Sequence, residues 1–290
     1  MDIRGIIAFD LDDSLLNHDL TIAAEDRAAC REAIEDGFKL VLASGRNEYS
    51  MTRYARELGL DSDGGRFPPG EFLICSNGAE IIELSGPRRV YSRKLDRALV
   101  GELEAFARAA GHPIQAYEEG KIFVTAPNRW SDEDTRLTGQ PNVAVRSVLA
   151  ALPDDGAFKL VIPGDADALA RLLPVIARRF EGRIRALTSK PIFLEILPVD
   201  ADKGIALKRL ASSLGVDRGA VMAMGDARND LGMVTWAGFG CAPSNAIAEV
   251  KAAARYASPF AHGRGAARDC ILAFLRYLDL RSSPSERRPI

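Results

Sequence analysis

Asp10, Asp12 and Asp13 lie within four positions, directly after the apolar run Gly5–Phe9. Negative charges this close repel one another, so the chain must supply a positive partner or recruit one. Three later stretches offer groups of matching chemistry: "LASGR" with Ser44, Gly45 and Arg46, "VDADKG" with Lys203, and "GDARND" with Asp226, Asn229 and Asp230. Asp10 and Asp226 are hard oxygen ligands of the kind magnesium takes, usually one or two carboxylates with waters and a phosphate oxygen. Ser44 and the backbone N–H groups that follow it at a helix start are anion donors. Lys203 is a point charge for phosphate. Asp10, Asp12, Asp226 and Asp230 outweigh one lysine, whereas a divalent cation balances them and draws a phosphate into the pocket. Asp10 and Asp12, two apart on an extended segment, face the same side and can address one substrate.

These residues converge only if the right elements carry them. "RGIIAFD", "FKLVLAS" and "AVMAMG" read as short buried strands, each followed by a helix-like stretch. "EFLICSNGAEIIEL" reads as two strands joined at Asn77-Gly78. Thr21 is the expected N-cap of the first helix and Gly37 its stop. The alternation argues for an α/β fold, a Rossmann-like parallel sheet with helices on both faces. In such sheets ligands bind beyond the carboxyl ends of the strands, where every residue named above falls. The middle of the chain differs. It carries amphipathic helices, a hairpin at Glu119-Gly120 and further strands at "AFKLVIPG", "RIRALTS" and "PIFLEILP". We read residues 85–189 as an inserted α+β cap, and residues 1–84 with 190–290 as the core.

"FDLDDSLL", "LASGR", "DKG" and "GDARND", in this order, resemble the four motifs of the haloacid dehalogenase-like phosphatases. "ICSNGA" and "FLEILPVDADKGIAL" resemble the Cof-type branch, subclass IIB, which inserts a large cap between the second and third motifs. The resemblance spans residues 4 to about 275. It implies an aspartyl phosphate on Asp10, with Asp12 as acid and then base, its backbone carbonyl on magnesium. It implies phosphate contacts from Ser44, Gly45, Lys203 and Asn229, magnesium held by Asp10, Asp12 and Asp226, and Asp230 behind them. Asn77 and Arg46 are candidate substrate contacts, although Asn-Gly is also a common turn and Arg46 a common salt-bridge residue. The implied reaction is hydrolysis of a small phosphorylated metabolite such as a sugar phosphate. A phosphomutase sharing the aspartyl phosphate, and a catalytically inactive phosphate-binding regulator, are the alternatives.

The chain departs from the family pattern in three places. Asp13 stands where the family turns on glycine, and its side chain is expected to point away from the metal. "APSNA" replaces the usual "AMGNA". "AHGRGAA" replaces a late acidic stretch. Elsewhere the residues exclude other classes. The 290 residues carry a net charge of −2, which gives no field for nucleic acid or an anionic membrane. No apolar run is long enough to span a bilayer, and no signal-peptide pattern opens the chain. Cys30, Cys75, Cys241 and Cys270 are scattered, as expected of reduced thiols in a cytoplasmic protein. His18, His112 and His262 show no metal-ligand spacing, so no zinc site is expected. "DSDGG" at residues 61–65 lacks a twelfth-position calcium ligand. The C-terminal "RSSPSERRPI" is expected to fray. Oligomeric state is not legible.

Overall fold

The structure, a computed structural model, describes residues 3–62, 65–86 and 88–282. Most of the C-terminal stretch expected to fray, and part of "DSDGG", therefore lie outside the described residues. The chain opens with β1 (Gly5–Phe9), β2 (Phe38–Ala43), β3 (Phe72–Cys75), β4 (Glu80–Glu83) and β5 (Arg88–Ser92). It then builds β6 (Gln115–Glu118), β7 (Lys121–Val124), β8 (Asn142–Ala144), β9 (Leu160–Pro163), β10 (Ile184–Lys190) and β11 (Phe193–Pro198). It returns with β12 (Val221–Met224), β13 (Phe239–Ala242) and β14 (Tyr256–Ala257). The first five and last three form an eight-stranded sheet in the order β14-β13-β12-β1-β2-β3-β4-β5; the middle six form a second sheet, β10-β11-β9-β6-β7-β8.

The large sheet is parallel from β14 to β3, and β4 and β5 add an antiparallel edge. Alternation along β1 shows why it is buried on both faces. Ile7 and Phe9 join one apolar cluster, with α1 (Ala24–Glu35), α2 (Glu48–Glu57) and, later in the chain, residues such as Phe274. Ile6 and Ala8 join the opposite cluster, with residues such as Leu207 and Met233. The smaller sheet has its own core. There Leu194 and Ile196 of β11 pack with α3 (Arg97–Ala109), and Phe193 and Glu195 take the other face. The remaining helices of that unit are α4 (Arg129–Thr138), α5 (Val148–Ala151) and α6 (Ala166–Arg179). After it come α7 (Lys203–Ser213), α8 (Leu231–Trp236), α9 (Ala248–Ala253) and α10 (Ala266–Ser282), the last carrying Phe274.

Two details differ from the sequence reading. β5 lies beyond residue 85 yet pairs with β4 of the large sheet, and β11 lies beyond 189 yet pairs with β9 and β10 of the small one. The sheets therefore change hands after Ser92 and after Pro198, because strand pairing is a non-local property. Thr21 does not cap α1. Its hydroxyl donates to Asp19 Oδ1 at 2.7 Å in a local turn, and the helix starts only after Ala23. Gly37 does follow the helix end, with φ +88°.

Candidate active site

β1 and β12 are parallel neighbours, and from them the chain winds outward in opposite directions, through β2 and β3 on one side and β13 and β14 on the other. This is the point where an open α/β sheet leaves a crevice at its carboxyl edge. Asp10 follows β1 and Asp226 follows β12, with Asp10 N donating to Met224 O at 2.9 Å. Ser14 Oγ donates to Asp226 Oδ1 at 2.8 Å.

Lys203 opens α7 and is completely buried. Its Nζ donates to Asp10 Oδ1 at 2.5 Å and to Asp230 Oδ1 at 2.6 Å. Asp202 caps the helix start, accepting from Gly204 N and Ile205 N. The other oxygen of Asp230 accepts from the backbone of Asp226 and Ala227 at 3.1 and 3.0 Å, fixing that loop. Two glycines permit the convergence. A Cβ on Gly204 would lie 2.3 Å from Gly232 C, so α7 and α8 can approach only without side chains there. Gly78, at φ +90°, lies against the Asp202 carbonyl, where a Cβ would come within 2.3 Å of the oxygen.

Negative charge exceeds positive charge in this crevice. Burial, together with the nearby Asp230 carboxylate, pushes the Asp10 carboxyl well above its usual range. Burial and Asp230 push Asp226 up to about 7. Lys203 would lose affinity for its proton through burial, but Asp10 and Asp230 overcome this and hold it firmly charged. Carboxylate oxygens of Asp10, Asp226 and Asp230 lie within 4.8 Å of one another. A single lysine among three carboxylates leaves room, in charge and in oxygen donors, for a hard divalent cation.

Asp12 meets a different partner. Arg46 donates to both of its oxygens, Nε to Oδ2 at 2.8 Å and Nη2 to Oδ1 at 2.7 Å. Burial works to raise the Asp12 pKa, but these bonds and the arginine charge override it and hold the carboxyl low. Ser44 lies just beyond β2 and accepts from Arg46 N through its own Oγ at 3.2 Å; the cap of α2 is Asn47.

The small sheet lies over this edge. Lys159 Nζ donates to Gly45 O at 2.8 Å and to Glu195 Oε1 at 3.2 Å. Arg46 Nη1 donates to Leu137 O at 2.6 Å, and Asn47 and Gln140 exchange two amide bonds. Asn77 serves both as turn and as link. It takes φ +55°, its Nδ2 donates to Glu195 Oε2 at 2.7 Å, and its Oδ1 accepts from Asn229 Nδ2 at 3.0 Å. Asn229 itself lines the groove, and Asn77 holds its amide. Lys159, Lys190, Tyr117 and Asp134 also line the groove and carried no sequence signal. Asp13 takes φ +56° and turns its side chain toward His18 and Lys190.

The model of the haloacid dehalogenase-like hydrolase family matches residues 7–268. The chain is 30% identical over 254 residues to the Bacillus subtilis (strain 168) protein "Putative phosphatase YxeH", covering 87% of this chain and 91% of that one. It is 26% identical over 257 residues to the HMP-PP phosphatase of Serratia proteamaculans (strain 568), covering 85% and 86%. Among solved structures, a haloacid dehalogenase-like hydrolase from Bacteroides thetaiotaomicron superposes with a TM-score of 0.82 at 29% identity, covering 94% of this chain and 98% of the other.

Proposed function

The chain belongs to the haloacid dehalogenase-like hydrolases, and on that premise we propose that it is a magnesium-dependent phosphatase of a small phosphomonoester, working through an aspartyl phosphate on Asp10. The observation that carries this reading is the placement of Lys203 between Asp10 and Asp230, with Asp226 beside them. Asp10 and Asp226, with the Asp12 backbone carbonyl, would hold the metal. When bound, magnesium neutralises the phosphoryl oxygens and the carboxylates together.

The chain's own residues then divide the work. Asp10 attacks phosphorus as a carboxylate nucleophile. Lys203, Ser44 and the Gly45 backbone hold the phosphoryl oxygens. Asp12 gives a proton to the leaving oxygen and later takes one from water. The Arg46 grip keeps Asp12 ionised, which suits the second step. A phosphate dianion beside Ser44 competes for the same guanidinium, and loosening that grip lets Asp12 carry a proton for the first step. The polar groove favours a hydroxyl-rich leaving group, since Glu195, Asp134, Lys159 and Lys190 can bond to sugar hydroxyls. The inserted unit is the cap that encloses it.

The test is release of inorganic phosphate from a panel of phosphorylated metabolites, with no bisphosphate activator. A chelator should abolish turnover, and magnesium should restore it. Because Asp226 binds a proton up to about pH 7 in the metal-free protein, magnesium should bind more tightly at pH 8 than at pH 6. Full activity after thorough metal stripping would sink the reading.

A further inference from the structure

The fold joins three residues that their sequence spacing kept apart. We propose that Asp13, His18 and His262 form a second metal site, distinct from the carboxylates around Lys203, for a divalent transition ion such as zinc. One ligand atom from each residue lies within 4.8 Å of the others. His18 Nδ1 is 3.4 Å from Asp13 Oδ1, and the two imidazole rings meet edge to face with centroids 4.5 Å apart. Donors at ~2.0–2.1 Å from a tetrahedral zinc lie roughly 3.4 Å from each other, so the Asp13–His18 separation already fits, and the His262 ligand atom lies within 4.8 Å of both.

The surroundings prepare these side chains as ligands. His262 Nδ1 lies 2.8 Å from the Leu16 carbonyl, which can only accept, so Nδ1 carries the proton. That tautomer leaves the Nε2 lone pair for a metal, the usual second bond of a metal-binding histidine. Asn245 ties the two loops together, its Nδ2 donating to Asp13 O at 2.8 Å and its Oδ1 accepting from His262 N at 2.9 Å. Asn17 closes against Gly263, where a Cβ would fall 1.4 Å from Asn17 Oδ1, so this glycine next to His262 is required for the loops to meet. Asp13 Oδ2 faces Lys190 Nζ at 3.7 Å, which leaves Oδ1 for the ion.

Two of the three ligands stand where the sequence leaves its family pattern: Asp13 replaces a glycine, and His262 lies in "AHGRGAA". Two imidazoles and one carboxylate suit zinc, cobalt or nickel better than magnesium, and they leave a fourth position for water. A bound ion would pin the loop that follows the nucleophile to the loop between β14 and α10.

The experiment is zinc calorimetry and cobalt absorption spectroscopy on the full chain with magnesium saturating. The wild type should take up one equivalent that magnesium does not displace, with visible cobalt bands of a low-coordinate nitrogen and oxygen site. The exposed substitution His18→Gln should weaken that equivalent tenfold or more and lose the bands. His262→Gln should do the same, but it also removes the bond to Leu16, so His18→Gln is the decisive variant. Asp226→Asn should keep the equivalent, which separates it from the carboxylate site. No magnesium-resistant equivalent in the wild type, unchanged binding in His18→Gln, or loss in Asp226→Asn would each overturn the proposal.

Discussion

Asp10 and Asp12 sit two positions apart and meet opposite environments. Asp10 is buried against a shared lysine, and Asp12 is clamped by a bidentate arginine. Their proposed roles therefore separate by substitution. Asp10→Asn removes the nucleophile, so no phosphoenzyme can form. Asp12→Asn keeps the backbone carbonyl and leaves Asp10 free to attack, but it loses the proton donor and the base. General acid–base loss typically costs about 10²–10⁴-fold in rate. A substrate with a good leaving group needs little protonation, so its first step suffers least and water attack becomes limiting. Asp12→Asn should then accumulate phosphate on Asp10, measured as intact mass after acid quench with peptide mapping, and Asp10→Asn should show none. Equal labelling of both would contradict the roles. Asp10, Asp12, Lys203 and Asp226 were legible because each sits next to a strand or helix boundary that local pattern reveals. Lys159, Lys190 and Glu195 reach the groove through pairing of distant strands, which local pattern does not encode.

The helix α7 decides where Lys203 stands, and its position depends on a contact without side chains. Gly204 lies against Gly232 of the following helix α8, where a Cβ would approach carbon at 2.3 Å. Asp202 fixes the helix start, and Arg185 of β10 holds Asp202 at 2.7 Å. Gly204→Ala should therefore push α7 away from α8 and draw Lys203 off Asp230 and Asp10. Overpacking of this kind typically costs about 1–3 kcal/mol. Denaturant unfolding should show that loss, and kcat should fall beyond what the unfolded fraction explains. Unchanged stability with unchanged kcat would mean that the helices can part without moving the lysine. The strand–helix alternation of this region is written in periodicity, and so is the hairpin at Asn77-Gly78. The assignment of strands β5 and β11 to their sheets is not, because an antiparallel strand looks the same in sequence whichever sheet it joins.

At the scale of the whole molecule the two sheets hold separate apolar cores, and between them at the site polar bonds run beside two small apolar contacts, Ala79 with Leu197 and Phe158, and Leu20 with Leu137 and Phe193. Among the described residues no helix is long and apolar enough to cross a membrane, and all four cysteines are buried and unpaired. The two chain crossings between the units run side by side, since Arg93 Nε lies 3.0 Å from Asp200 Oδ2. Arg93 N also donates to Ala79 O at 2.7 Å, which anchors the first crossing on the large sheet. A short linker can therefore replace the small-sheet unit between these residues without opening the large sheet. The excised protein keeps β1, β12, α7 and their apolar clusters, so it should fold cooperatively and bind magnesium and inorganic phosphate. It loses Glu195, Lys159, Lys190 and Tyr117, the groove residues proposed to read the leaving group. Its ranking of substrates by kcat/KM should flatten toward leaving-group reactivity alone, because a closing unit that excludes water and touches the substrate is what orders them. If the excised protein keeps the parent's ranking, specificity resides in the large sheet and the small sheet is not its cap.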